Sequence, residues 1–62
     1  MKINYYRTLG KEPHYDERDK KILLSELGKY ARQENANKDF FFRIENGEIV
    51  ILNNHCYWAE EA

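Results

Sequence analysis

A chain of 62 residues has room for one domain and a small core, since a domain of this size buries only about 60% of the surface its unfolded chain exposes. One cysteine excludes an intrachain disulfide framework, and ten basic against eleven acidic side chains leave a net charge of −1, with no global field directed at nucleic acid or at a membrane surface. The N-terminal residues lack the apolar core of a secretion signal and the longest aliphatic run, residues 49–52, is far too short to span a bilayer, so the sequence implies a soluble domain in a reducing compartment, the cytoplasm.

The chain opens on an alternating segment, residues 2–9, that predicts a strand. Ile3, Tyr5, Arg7 and Leu9 share one face; Lys2, Asn4, Tyr6 and Thr8 share the other. Gly10 ends it, and Pro13 marks the loop that follows.

Asp16 is placed to cap a helix, with Glu17 and Asp19 in its first turn, and the helical period runs to about residue 34 or 35. Leu23, Leu24, Leu27, Tyr30 and Ala31 gather into one apolar stripe. The outward face carries a basic stripe of Arg18, Lys21, Lys29 and Arg32, with Ile22 set beside it, which suits a phosphate backbone or an acidic protein groove as well as a solvated face. Gly28 interrupts the helix and implies a close approach to the sheet or to another chain, while Asn35-Ala36-Asn37 supplies residues that tolerate left-handed geometry at its end.

Residues 39–52 read as a tight hairpin turning at Asn46-Gly47, the pair best suited to a type I′ turn. That register places Phe40, Phe42, Ile44, Ile49 and Ile51 on the core face and Phe41, Val50 and Leu52 on the other. Asn53-Asn54 then offers two continuations. A straight strand sends Cys56 and Trp58 outward; a second tight turn pairs Leu52 with His55, Ile51 with Cys56 and Val50 with Tyr57, and sends Cys56 and Trp58 inward. The second is preferred because it buries the better core formers.

The whole chain, residues 1–62, is thus expected to be a single α+β domain of two layers: one helix on a small, mainly antiparallel sheet, in the order β-α-β-β with a fourth strand to close. One sheet face would lie uncovered, bearing Tyr6, Phe41, Val50, Leu52 and Tyr57, and an exposed patch of that kind marks association with a protein partner or with a second copy.

No motif dictates a chemistry. His55 and Cys56 are neighbours on a strand and point to opposite faces; His14, His55, Cys56 and Asp16 lack metal-ligand spacing; no phosphate-binding glycine loop occurs, and Ser25, the single serine, lies in no nucleophile motif. The expectation is a non-enzymatic, cofactor-free regulator or inhibitor that binds protein, in the style of small proteins encoded by phages and other mobile elements. A nucleic-acid-binding regulator using the helix stripe is the alternative, and a small metal-dependent enzyme the third reading.

Overall fold

The computed structural model describes residues 2–14 and 21–62. Asp16, Glu17, Arg18 and Asp19, and with them the expected helix cap and first turn, lie outside the described residues.

The architecture is α+β: a four-stranded antiparallel sheet with two helices. In chain order the elements are β1 (Ile3–Leu9), β2 (Lys21–Ile22), α1 (Leu24–Gln33), α2 (Phe40–Glu45), β3 (Val50–Leu52) and β4 (His55–Glu61). The strands are arranged β2-β1-β4-β3, so the two long strands occupy the centre and pair along their whole length, from Ile3 opposite Glu61 to Leu9 opposite His55.

The strand expected at residues 2–9 is present as β1. The turn preferred at Asn53-Asn54 is present too: both asparagines have positive φ (48° and 66°), and Val50, Ile51 and Leu52 pair with Tyr57, Cys56 and His55. Two consecutive residues of positive φ are what a two-residue hairpin turn demands, and asparagine tolerates them.

The expected hairpin at Asn46-Gly47 does not form. Residues 40–45 are helical instead, with Phe40 and Ile44, four residues apart, buried beneath α2, so the helical period rather than strand alternation satisfies the core. Asn46-Gly47 closes this helix. Glu48 N–H donates to Arg43 O (3.0 Å) and Gly47 N–H to Ile44 O (3.1 Å), with Gly47 at φ +89°, which is the Schellman pattern that absorbs orphan carbonyls at a helix end. The Arg43–Glu48 ion pair (3.0 Å) spans the same corner. Helix α1 ends in the same way, with Asn35 at φ +53° and Ala36 N–H donating to Ala31 O at 2.9 Å, as the Asn-Ala-Asn segment implied.

The single long helix is also corrected. Lys21 and Ile22 are extended because they pair with Tyr6 and Tyr5 on the outer edge of β1, and Leu23 is still extended (φ −78°, ψ 155°) where α1 starts. Leucine has no side-chain acceptor for the first turn, and the Glu26 carboxylate compensates in part by accepting from Leu23 N–H at 2.8 Å.

The core lies between the helices and one face of the sheet. Leu27 and Ala31 from α1, Phe40 and Ile44 from α2, and Tyr5, Val50 and Tyr57 from the strands form one buried cluster. Tyr57 is its centre: fully buried, with the Phe40 ring edge-on at 5.5 Å and the Tyr30 ring tilted against it at 6.3 Å. Gly28 faces α2 rather than the sheet, and a Cβ added there would meet Phe41 Cζ at 3.9 Å and Arg32 Nη1 at 3.6 Å, both ordinary contacts.

Two stability outcomes follow from this packing. Phe40→Ala should cost about 3 kcal/mol or more in urea denaturation, whereas Phe42→Ala, at a position 67% exposed, should change stability by no more than about 0.5 kcal/mol. Gly28→Ala should raise stability by up to about 1 kcal/mol, since the helix gains propensity and the methyl has room; a lowered denaturation midpoint would show that α1 and α2 approach more closely than this.

Candidate functional site

The five residues expected to share an open sheet face are distributed over three environments. Val50 and Tyr57 are buried in the core under the helices, and Leu52 is half-buried against it. Phe41 sits on α2, its ring edge-on to Phe40 at 5.4 Å. Tyr6 alone lies on the face turned away from the helices, stacked on Trp58 with ring centroids 5.2 Å apart. The reversal has one cause: with residues 40–45 helical, the pair Val50 and Tyr57 points to the helices and Ile51 and Cys56 point away.

The face opposite the helices is not bare. Thr8, Cys56 and Trp58 are all buried there, the Cys56 thiol donating to Gly10 O at 3.3 Å and the Trp58 indole N–H to Glu60 Oε2 at 3.0 Å. Cys56 and Trp58 are therefore interior, as the second turn implied, but beneath the side of the sheet that carries no helix. The His55 ring is engaged with Asn53 O at 3.2 Å. Among the described residues, no three His, Cys, Asp or Glu side chains come together in a way that could hold a metal ion, and no helix is long and apolar enough to cross a membrane.

The basic stripe is broken by the early extended segment. Lys29 and Arg32 are exposed on α1, while Lys21 and the half-buried Ile22 belong to β2. Glu45 accepts from the Tyr5 hydroxyl at 3.1 Å and Glu48 pairs with Arg43.

A surface that exposes contiguous apolar side chains lies where β1, β2 and the start of α1 meet. Ile3, Ile22, Leu23 and Leu24, with Tyr5 at the base and Lys2, Asn4 and Lys21 at the rim, line an open groove of 510 Å³. Leu23 and Leu24 are 69% and 54% exposed, values that leucines placed in a core stripe would not show. The backbone contributes as well. Lys2 O accepts from Ala62 N–H (2.9 Å) and Gly10 N–H donates to Asn54 O (2.7 Å), so the even-numbered residues of β1 address β4. By alternation Ile3, Tyr5, Arg7 and Leu9 address the other edge. Strand β2 meets Tyr5 and Tyr6 and ends at Ile22, which leaves the Ile3 edge facing the groove. The sequence did contain a sign of this. Lys21-Ile22, a polar residue beside an apolar one, also fits an edge strand.

Comparison with known protein families, with curated proteins and with solved structures finds no match to this chain. The site is therefore defined by its own geometry: an apolar groove with a cationic rim beside a strand edge.

Two buried titratable groups give the fold a directional response to pH. Burial, and secondarily the hydrogen bond to Glu45 and its charge, raise the Tyr5 phenol above its ordinary range; burial, and secondarily Glu12, raise the Cys56 thiol. Each stabilises the folded state while protonated. Their contribution is complete below the ordinary thiol value of about 8.5 and is lost as pH rises through the raised values. The urea midpoint should hold through neutral pH and fall on the alkaline side, and native Cys56 should label far more slowly than in denaturant. Equal labelling rates would place the thiol in solvent.

Proposed function

We propose that this chain is a small non-enzymatic protein-binding module, a regulator or inhibitor, acting in a reducing compartment such as the cytoplasm. The observation that carries the proposal is the groove at the β1, β2 and α1 junction, where Ile3, Leu23 and Leu24 stand exposed side by side. A domain with so little apolar surface to spare gains nothing for folding by leaving adjacent leucines in water, and exposed apolar patches rimmed by polar residues are the usual mark of association. The rim adds a preference. Lys2 and Lys21 favour a partner that brings apolar anchors flanked by acidic side chains. Binding at this groove would also stabilise a marginal fold, because only the folded state assembles it.

The test is Leu23→Asp with Leu24→Asp. Aspartate at the cap position and in the first turn of α1 supplies the acceptor and the negative charge that leucine lacks, so the variant should be at least as stable as the parent. It should nevertheless lose capture of the partner from the source cell, and any concentration-dependent self-association seen by sedimentation. Equal capture by a stable variant would remove the groove from the binding surface. Capture abolished by nuclease, and weakened steeply by salt through Lys29 and Arg32, would favour the nucleic-acid reading.

A further inference from the structure

Arg7 is held by two aromatic side chains at the core. Its guanidinium carbon lies 3.9 Å from the centroid of the Tyr30 ring, and its Nε–H donates to the hydroxyl of the fully buried Tyr57 at 2.8 Å. Tyr57 is itself fixed by Phe40 and Tyr30, so the plane of the guanidinium is set by rigid neighbours. Arg7 is half-buried, yet it has no ion pair among the described residues, where the Arg43–Glu48 pair is the one salt bridge. With Nε committed to Tyr57, the fork of Nη1 and Nη2 has no partner among the described residues.

We propose that Arg7 is a preorganised receptor for a carboxylate carried by the protein partner. This rests on the protein-binding reading and names a second point of contact for it. A stacked guanidinium offers two parallel N–H donors that match a carboxylate, and its ordering cost has already been met by Tyr30 and Tyr57. Carboxylate is favoured over phosphate because a single guanidinium balances one negative charge, and neither Tyr57, which accepts its hydrogen bond, nor Tyr30, whose ring it covers, adds a second cation. The carboxylate belongs to a large partner because Arg7 lines none of the grooves that the structure describes, so a small anion would be held by the fork alone. The surroundings suit a protein surface: the next row of the sheet aligns Leu9, His55 and Leu52, with Leu9 exposed and the other two half-buried. Tyrosine and arginine are the residue types that most often anchor interfaces.

The test uses side-chain resonances of the intact protein in NMR. The acetylated amide of glutamate, the same derivative of glutamine and inorganic phosphate are each titrated at constant ionic strength. The glutamate probe should shift the Arg7 Nε–Hε signal and the Tyr30 ring signals more than it shifts Arg32 or Arg43, and the glutamine probe should not. Arg7→Lys keeps the charge and loses the fork, so the Tyr30 response to the glutamate probe should disappear. Leu23→Asp with Leu24→Asp should respond as the parent does, which separates this test from that of the groove. Equal shifts at all three arginines, a lysine variant that responds like the parent, or a stronger response to phosphate would each overturn the assignment.

Discussion

The structure depends on the burial of one ring. Tyr57 projects from the central strand β4 into the space between the helices, and every neighbouring element meets it there: α1 through Tyr30, α2 through Phe40, β3 through its cross-strand partner Val50 and β1 through Arg7. A chain of this length cannot form a broad aliphatic core, and a single large aromatic at the crossing point of four elements is an economical alternative. The hydroxyl makes the arrangement specific. It is buried and must be bonded, and the group that bonds it is the half-buried guanidinium of Arg7. The same contact that completes the core therefore fixes a charge at the periphery.

The two surfaces singled out here arise from different constraints. The groove at Ile3, Leu23 and Leu24 exists because β2 is short: two residues pair with β1 and the chain then turns into a helix, leaving an apolar step at the edge. The Arg7 fork exists because Tyr57 is buried. Both lie on β1, and residues three and seven of that strand address the same edge.

The α+β class, β1, the Asn53-Asn54 turn with its register and the end of α1 were legible because each rests on local chemistry: alternation, paired asparagines, or left-handed residues after a helix. Residues 40–47 were not. Three consecutive phenylalanines and an isoleucine have high strand propensity, and Asn-Gly is a strong turn signal, yet the spacing of Phe40 and Ile44 fits one helical face equally well and Asn-Gly serves a helix end as readily as a hairpin. Arbitration came from the tertiary fold, in which a helix over residues 40–45 turns Phe40 and Ile44 together into the core, with Phe40 against Tyr57. Reading α2 as a strand then reversed the face of Val50 and Tyr57 and created an open aromatic face that the molecule does not have. Arg7 was placed on its correct face, but its role depends on Tyr30 and Tyr57, which are distant in sequence and unite only in the folded core.

The central ladder joins the beginning and the end of the described chain, Ile3 opposite Glu61 and Lys2 O bonded to Ala62 N–H. The most extensive pairing in the molecule is also its most non-local, so the entropy of closing nearly the whole chain precedes its principal gain. The order of the elements along the polypeptide is consequently separable from their order in space. Linking the two ends by a short turn and opening the backbone near Gly47, where an added side chain would meet nothing within 4 Å, would turn the ladder into a local hairpin. The architecture would be unchanged, and its slowest folding event would become one of its fastest.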